Sequence, residues 1–333
     1  MSGSNGKSGN KYIVPAAVVV VLLVVAGAAG FYLSRGSTTT VTVTGGSNTS
    51  SGSGSGTVIQ VVAAQNFWGS LVSQLGGTHV NVTSIVSDPN ADPHSYQSNT
   101  ANARAFANAK LVIINGANYD TWAQAILNST NNPTQRVLNV QNTIGLAGKS
   151  DLNPHFWYSP YYVNTTVHAM YKNLVAIDSA DSTYFNQQYA TLNASLYHTF
   201  MSREALIKQQ FAGHPVAATE DIFIYMANAT GLKVVSPDGF MVAVAEGNDP
   251  PAQDVATFQQ LMMGGNSTVN VLVYNQQTVT PVTQQIKSLA AQNQIPIIGV
   301  TETIQPPDVN FQTWMGAELI SLQNALNAQA LGQ

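Results

Sequence analysis

The sequence predicts an α/β protein: two lobes with mostly parallel sheets joined by one long helix, preceded by an N-terminal transmembrane helix and a flexible linker. Three observations predict it. Short apolar runs alternate with amphipathic helical stretches from residue 58 to residue 328. An unbroken helical pattern over residues 182–210 divides them into two sets. An apolar run over 13–33 precedes a stretch rich in Gly, Ser and Thr.

Residues 1–12 are small and polar, with Lys7 and Lys11, and are assigned to the cytoplasm. Residues 13–33 are long enough to cross a bilayer as a helix. Lysines before them and only Arg35 just after favour an N-terminus inside and the rest outside. The competing reading is a signal peptide cut at Ala26-Gly27-Ala28. The run continues through Phe31, Tyr32 and Leu33, which favours a retained anchor. Residues 34–56 have no core-forming side chains in number and form the linker. The remaining divisions are an N-terminal lobe over 57–180, a linking helix over 181–212 and a C-terminal lobe over 213–333.

In the first lobe, residues 58–63 (VIQVVA) suit a buried strand. Residues 66–75 form a helix with Phe67, Leu71 and Leu75 on one face, ended by Gly76-Gly77. Residues 80–86 form a strand. It is stopped by SDPNADPHSY (87–96), whose prolines and Asx side chains stiffen a turn carrying His94. Residues 99–109 form a helix, 111–114 a buried strand closed by Asn115-Gly116, and 121–127 a helix. The loop DLNPHFWYSP (151–160) repeats the Pro-His pair at Pro154-His155. Ser159 and Pro160 then start a helix, as N-cap and first helical residue.

Phe185, Tyr189, Leu192, Leu196 and Phe200 form one stripe of the long helix, and neither Gly nor Pro interrupts it. At 1.5 Å per residue it spans roughly 40 Å. In the second lobe, strands are expected at 215–219, 233–235, 269–274 and 295–300, and helices at 221–228, 255–263, 281–292 and 311–328. Residues 238–248 read as a loop.

Composition narrows the function classes. Only 8% of residues are charged, against about 25% in average soluble proteins. Asn, Gln, Ser and Thr carry the surface instead, which keeps its character where carboxylates protonate and suits an acidic exterior. With 12 basic residues and a net charge of −4 there is no basic stripe, so nucleic acid is excluded as a partner. The chain has no cysteine, which excludes thiolate metal sites and disulfides. Sequons at Asn48, Asn81, Asn128, Asn164, Asn193, Asn228 and Asn266 fit an externally displayed glycoprotein.

Four groups stand out: His94, His155, Glu220 and Glu302. Three of them directly follow strand-like runs, and ligands bind beyond the carboxyl ends of strands in open α/β sheets. Two come from each lobe, so all four can meet in the cleft between lobes. Two imidazoles and two carboxylates suit one divalent ion, Zn²⁺, Mn²⁺ or Fe²⁺. Each also has a plain alternative: a surface histidine, or a glutamate favourable to a helix N-terminus. Asp221 and Asn275 are candidates for fixing an imidazole from behind. His79, His168, His198 and His214 are read as non-ligands, and Trp157, Tyr158 and Phe240 as packing around the cleft.

The stretches VVAAQNFWGSLVSQLGG, SDPNADPHSY, NPHFWYSP, GLKVVSP, LVYNQQTVTP and IPIIGVTET resemble the metal-binding receptors of zinc/manganese ABC importers. The resemblance covers roughly residues 58–326. It implies two lobes joined by one rigid helix, with His94 and His155 as the first two ligands. Glu220 falls where members carry His or Glu, and Glu302 where they usually carry Asp. The His-rich acidic loop of many zinc members has no counterpart here, and a third histidine ligand is missing. That oxygen-richer set tilts toward Mn²⁺ or Fe²⁺. The resemblance implies a monomeric, membrane-tethered extracytoplasmic receptor. It would carry one divalent metal as transported ligand to an ABC importer permease and catalyse nothing. The alternatives are a metal-dependent hydrolase, which needs an open coordination position, and an adhesin of the same fold.

Overall fold

The computed structural model describes residues 57–88, 96–130, 132–265 and 268–331, the side chains of 330 and 331 excepted. The expected cytoplasmic segment, anchor and linker over 1–56 lie outside the described residues, as does His94. Among the described residues no helix is long and apolar enough to cross a membrane.

Two four-stranded sheets, both wholly parallel, account for the strands described. The first contains β1 (Ile59–Gln65), β2 (Val80–Val86), β3 (Leu111–Ile114) and β4 (Arg136–Asn139), in the order β2-β1-β3-β4. The second contains β5 (Pro215–Ala218), β6 (Lys233–Val234), β7 (Val271–Asn275) and β8 (Ile297–Val300), in the order β6-β5-β7-β8. Parallel pairing requires crossovers, and helices supply them: α1 (Asn66–Gly76), α2 (Thr100–Asn108) and α3 (Thr121–Ser129) in the first set. A short helix, α4 (Val140–Thr143), follows β4, and α5 (Pro160–Ile177) leads out of the lobe. In the second set, α8 (Ile224–Thr230), α9 (Asp238–Ala245), α10 (Ala252–Met263) and α11 (Pro281–Gln292) supply the crossovers, and α12 (Phe311–Leu331) follows the last strand.

The expected long helix runs from 182 to 211 in three joined parts. They are α6 (Ser182–Leu196), a π turn (Tyr197–Met201) and α7 (Ser202–Phe211). The π turn was not legible in the stripe of apolar residues. It sits where α12 crosses closely: a Cβ on Gly316 would lie 2.8 Å from the Thr199 carbonyl oxygen, so only glycine fits.

Alternation along the strands divides the core. Val61 and Ala63 of β1 join one large cluster, with Leu111, Ile113, Phe185, Leu196, Val216, Val273 and Val300. That cluster is continuous from the first sheet, through the long helix, to the second. Val62 and Ala64 face the other way, onto Phe106 and Ile126 of α2 and α3. Ala217 and Leu272 likewise face Phe240, Phe258 and Ile286.

Three local readings need correction. Residues 238–245 are helical, not a loop; the run FMVAVA has no period to read, but Pro237 and Asp238 start the helix. β4 was not anticipated, because only Leu138 of its four residues is buried. Phe240 does not line the cleft. It packs edge-on to Phe258, ring centroids 4.8 Å apart, in the outer core of the second lobe.

Candidate metal centre

Parallel strands end on the same side, and the second sheet uses three adjacent ends. Glu220 lies two residues beyond β5, Asn275 is the last residue of β7, and Glu302 lies two residues beyond β8. Glu220 and Glu302 are fully buried and Asn275 nearly so. The Glu302 backbone N–H donates to Gln277 Oε1 at 2.5 Å, and the Thr303 N–H donates to the same oxygen at 3.0 Å. This holds the strand end in a defined turn.

From the first lobe comes His155, also fully buried. Its loop is pinned by the aromatic residues that follow. Trp157 stacks on Phe67 with centroids 4.1 Å apart. The Tyr158 hydroxyl lies 2.9 Å from the Thr301 carbonyl and 2.8 Å from Glu318 Oε2. Asn153 orients the imidazole. Its Nδ2 donates to the Asp221 carbonyl at 2.6 Å, so its Oδ1 faces His155. That oxygen accepts the His155 backbone N–H at 2.9 Å and lies 2.9 Å from Nδ1. Asp221 Oδ1 lies 3.2 Å from the same Nδ1. Nδ1 therefore carries a proton whether the ring is charged or neutral, and Nε2, turned toward the two glutamates, is the nitrogen that a metal would take.

Nε2 is 3.6 Å from Glu220 Oε1 and 3.9 Å from Glu302 Oε2. Donors bound to one first-row ion at about 2.1 Å stand about 3.4 Å apart at tetrahedral angles. These two distances from Nε2, and the chemistry of an imidazole beside two carboxylates, fit a divalent ion. His155, Glu220 and Asp221 also form a group whose potential ligand atoms lie within 4.8 Å of one another.

The electrostatics agree. Burial pulls the His155 imidazole down, but hydrogen bonding to Asp221 and Glu302 and the nearby charges of Asp221 and Glu220 outweigh it and raise it to about 10. A cation is thus favoured at this position even without metal. Tyr119, in the loop after β3, donates its hydroxyl to Glu302 Oε2 at 3.0 Å. Burial, then the charge of Glu302, raises its phenol well above the ordinary range, so it stays a donor. Asp120 secures that loop by accepting the Asn115 and Gly116 N–H groups at 2.5 and 2.9 Å. A cavity of about 420 Å³, bordered by Tyr119, Asn153, Asp221 and Glu246, adjoins the cluster.

Of the four residues singled out by sequence, His155, Glu220 and Glu302 come together, and His94 lies outside the described residues. Of the two residues expected behind an imidazole, Asp221 does approach His155, whereas Asn275 binds the two carboxylates. Tyr119, Asn153, Gln277 and Thr278 were not anticipated. One signal was available for Asn153: an Asx side chain two residues before a histidine can accept its backbone N–H. His79 does not join the cleft; its Nδ1 pairs with Asp181 Oδ2 at 2.8 Å and its ring lies on Tyr184. His79, Asp178 and Asp181 form a second, partly exposed group of potential ligands.

Solved structures share this fold. The periplasmic metal-binding protein from Candidatus Liberibacter asiaticus superposes with a TM-score of 0.65 at 16% identity, over 80% of this chain and 98% of that one. Its Mn-bound form gives 0.65 at 17% identity and its Cd-bound form 0.66 at 16%, with the same coverage. The periplasmic zinc-binding protein TroA from Treponema pallidum gives 0.61 at 18% identity, over 81% of this chain and 98% of that one. No curated protein sequence matches the chain. The family profile described as ZnuA, zinc-uptake complex component A, periplasmic, matches residues 61–325. The chain, with its two parallel-sheet lobes and the buried cluster between them, belongs to the ZnuA family.

Proposed function

We propose that this protein is an extracytoplasmic receptor that captures one divalent metal ion, Zn²⁺, Mn²⁺ or Fe²⁺, between its lobes and delivers it to an ABC importer permease. His94, His155, Glu220 and Glu302 are the ligands in this reading. The ion is cargo, and no reaction is catalysed. Residues 13–33 anchor the chain and 34–56 tether a monomeric receptor formed by the two lobes and the linking helix over 181–212. The observation that carries the reading is the approach of His155 Nε2 to Glu220 Oε1 and Glu302 Oε2, at 3.6 and 3.9 Å. Family membership and the metal-bound structural neighbours support it.

The test is elemental analysis of protein purified without added metal and then exposed to a one-fold excess of Zn²⁺ or Mn²⁺. About one ion per chain is expected in the wild type, and almost none in Glu220→Ala. Wild-type protein that retains no metal overturns the reading.

A further inference from the structure

We propose that Asn275 limits Glu220 and Glu302 to one metal-facing oxygen each, and thereby biases the site toward zinc over manganese. The inference rests on the metal-receptor reading and concerns its selectivity.

β7 lies between β5 and β8, so a side chain at its end can reach groups beyond both neighbours. Asn275 occupies that position and is 1% exposed. Its amide orientation is determined. Oδ1 accepts the Gln277 N–H at 3.0 Å, and carboxylates only accept, so Nδ2 faces the glutamates. Nδ2 donates to Glu220 Oε2 and, at 2.9 Å, to Glu302 Oε1. The Thr278 hydroxyl donates to the same Glu302 Oε1 at 3.2 Å. Two donors engage both lone pairs of that oxygen. The other oxygen of each carboxylate, Glu220 Oε1 and Glu302 Oε2, is the one facing His155 Nε2.

Bidentate coordination by Glu302 would break a buried hydrogen bond, and in Glu220 it would swing Oε2 away from its bond to Asn275. One-oxygen carboxylates keep the ligand count low. Zinc is satisfied by four ligands in tetrahedral array, whereas Mn²⁺ suits octahedral, oxygen-rich sites. Asn275 therefore opposes the preference that two glutamates would confer alone. It acts on the metal through the carboxylates, as a positioning residue.

The experiment titrates Zn²⁺ and Mn²⁺ separately into the full-length wild type, Asn275→Ala and Thr278→Val, and counts oxygen neighbours of bound zinc by X-ray absorption. Residues behind metal ligands typically change affinity by about 10–100-fold. Asn275→Ala should lower the ratio of zinc to manganese affinity at least about tenfold. It should also add an oxygen neighbour to zinc. Thr278→Val should move both readouts the same way by less, and it decides the matter alone if Asn275→Ala does not fold. Equal loss for both metals, with an unchanged neighbour count, would overturn the proposal and leave Asn275 a support for the strand end. A wild type that binds both metals with an unmoved ratio in the variants overturns this inference only. A wild type that binds neither overturns the receptor reading and this inference with it.

Discussion

The Tyr119 hydroxyl donates a 3.0 Å hydrogen bond to Glu302 Oε2. Tyr119 follows β3 of the first sheet and Glu302 follows β8 of the second, so the bond joins the two lobes at the candidate metal centre. The oxygen it holds is the one facing His155 Nε2. Tyr119→Phe keeps the ring and removes the donor. Zinc affinity measured by calorimetric titration should fall about 10–100-fold. An unchanged affinity would show that Glu302 is oriented without it.

Metal capture should be pH-dependent with a defined sign. Burial lowers the His155 pKa, but Asp221, Glu302 and Glu220 outweigh it and raise it to about 10, so the metal-free imidazole is protonated at neutral pH. A metal ion needs the neutral ring, so each binding event displaces that proton. Affinity should fall about tenfold per pH unit below that value. Titrations at pH 7 and pH 4 should differ by orders of magnitude. Equal affinities would contradict the role of His155.

Glu204 gives an independent pH effect on stability. It is 3% exposed on α7, and burial raises its carboxyl from an ordinary 4.5 to about 9. A raised folded-state pKa means that the folded chain holds a proton the unfolded chain releases. Stability is then fully present below about pH 4.5 and is lost as pH rises toward about 9. The limiting slope is about 1.4 kcal/mol per pH unit. In Glu204→Gln, urea denaturation at pH 5, 6, 7 and 8 should show this decline removed. A decline as steep as in the wild type would mean that Glu204 finds a partner.

Release of the ion should proceed by local movement. Across the lobes, the Tyr225 hydroxyl donates to the Asn153 carbonyl at 2.9 Å. Asn153 Nδ2 donates to the Asp221 carbonyl at 2.6 Å. The Gln312 amide donates to Gln74 Oε1 at 2.7 Å and Ser195 Oγ at 2.9 Å. Small-angle scattering of the metal-loaded and metal-free protein should therefore give the same radius of gyration within error. A clear expansion on metal removal would show that these bonds open as a hinge.

Most strands and helices were legible because each had a local signature, which β4 lacked. Ser159 and Pro160 announced α5, and Ser159 does accept the Tyr162 N–H as its cap. The glutamates were legible from their place after buried strands. What local pattern could not show was the order of the strands. Without β7 between β5 and β8, nothing marks Asn275 as the residue that touches both Glu220 and Glu302. Tyr119 was hidden for a similar reason. Its position depends on a turn with positive φ at Gly116, Ala117 and Asn118, which the Asn115-Gly116 pair only hints at. The π turn depends on the close approach of Gly316, more than a hundred residues away.

Anomalous scattering from crystals grown with Zn²⁺ measures the convergence of ligands most directly. One zinc ion should lie about 2.0–2.2 Å from His155 Nε2, Glu220 Oε1 and Glu302 Oε2 together. A zinc peak confined to His79, Asp178 and Asp181, with none between His155 and the two glutamates, would contradict it.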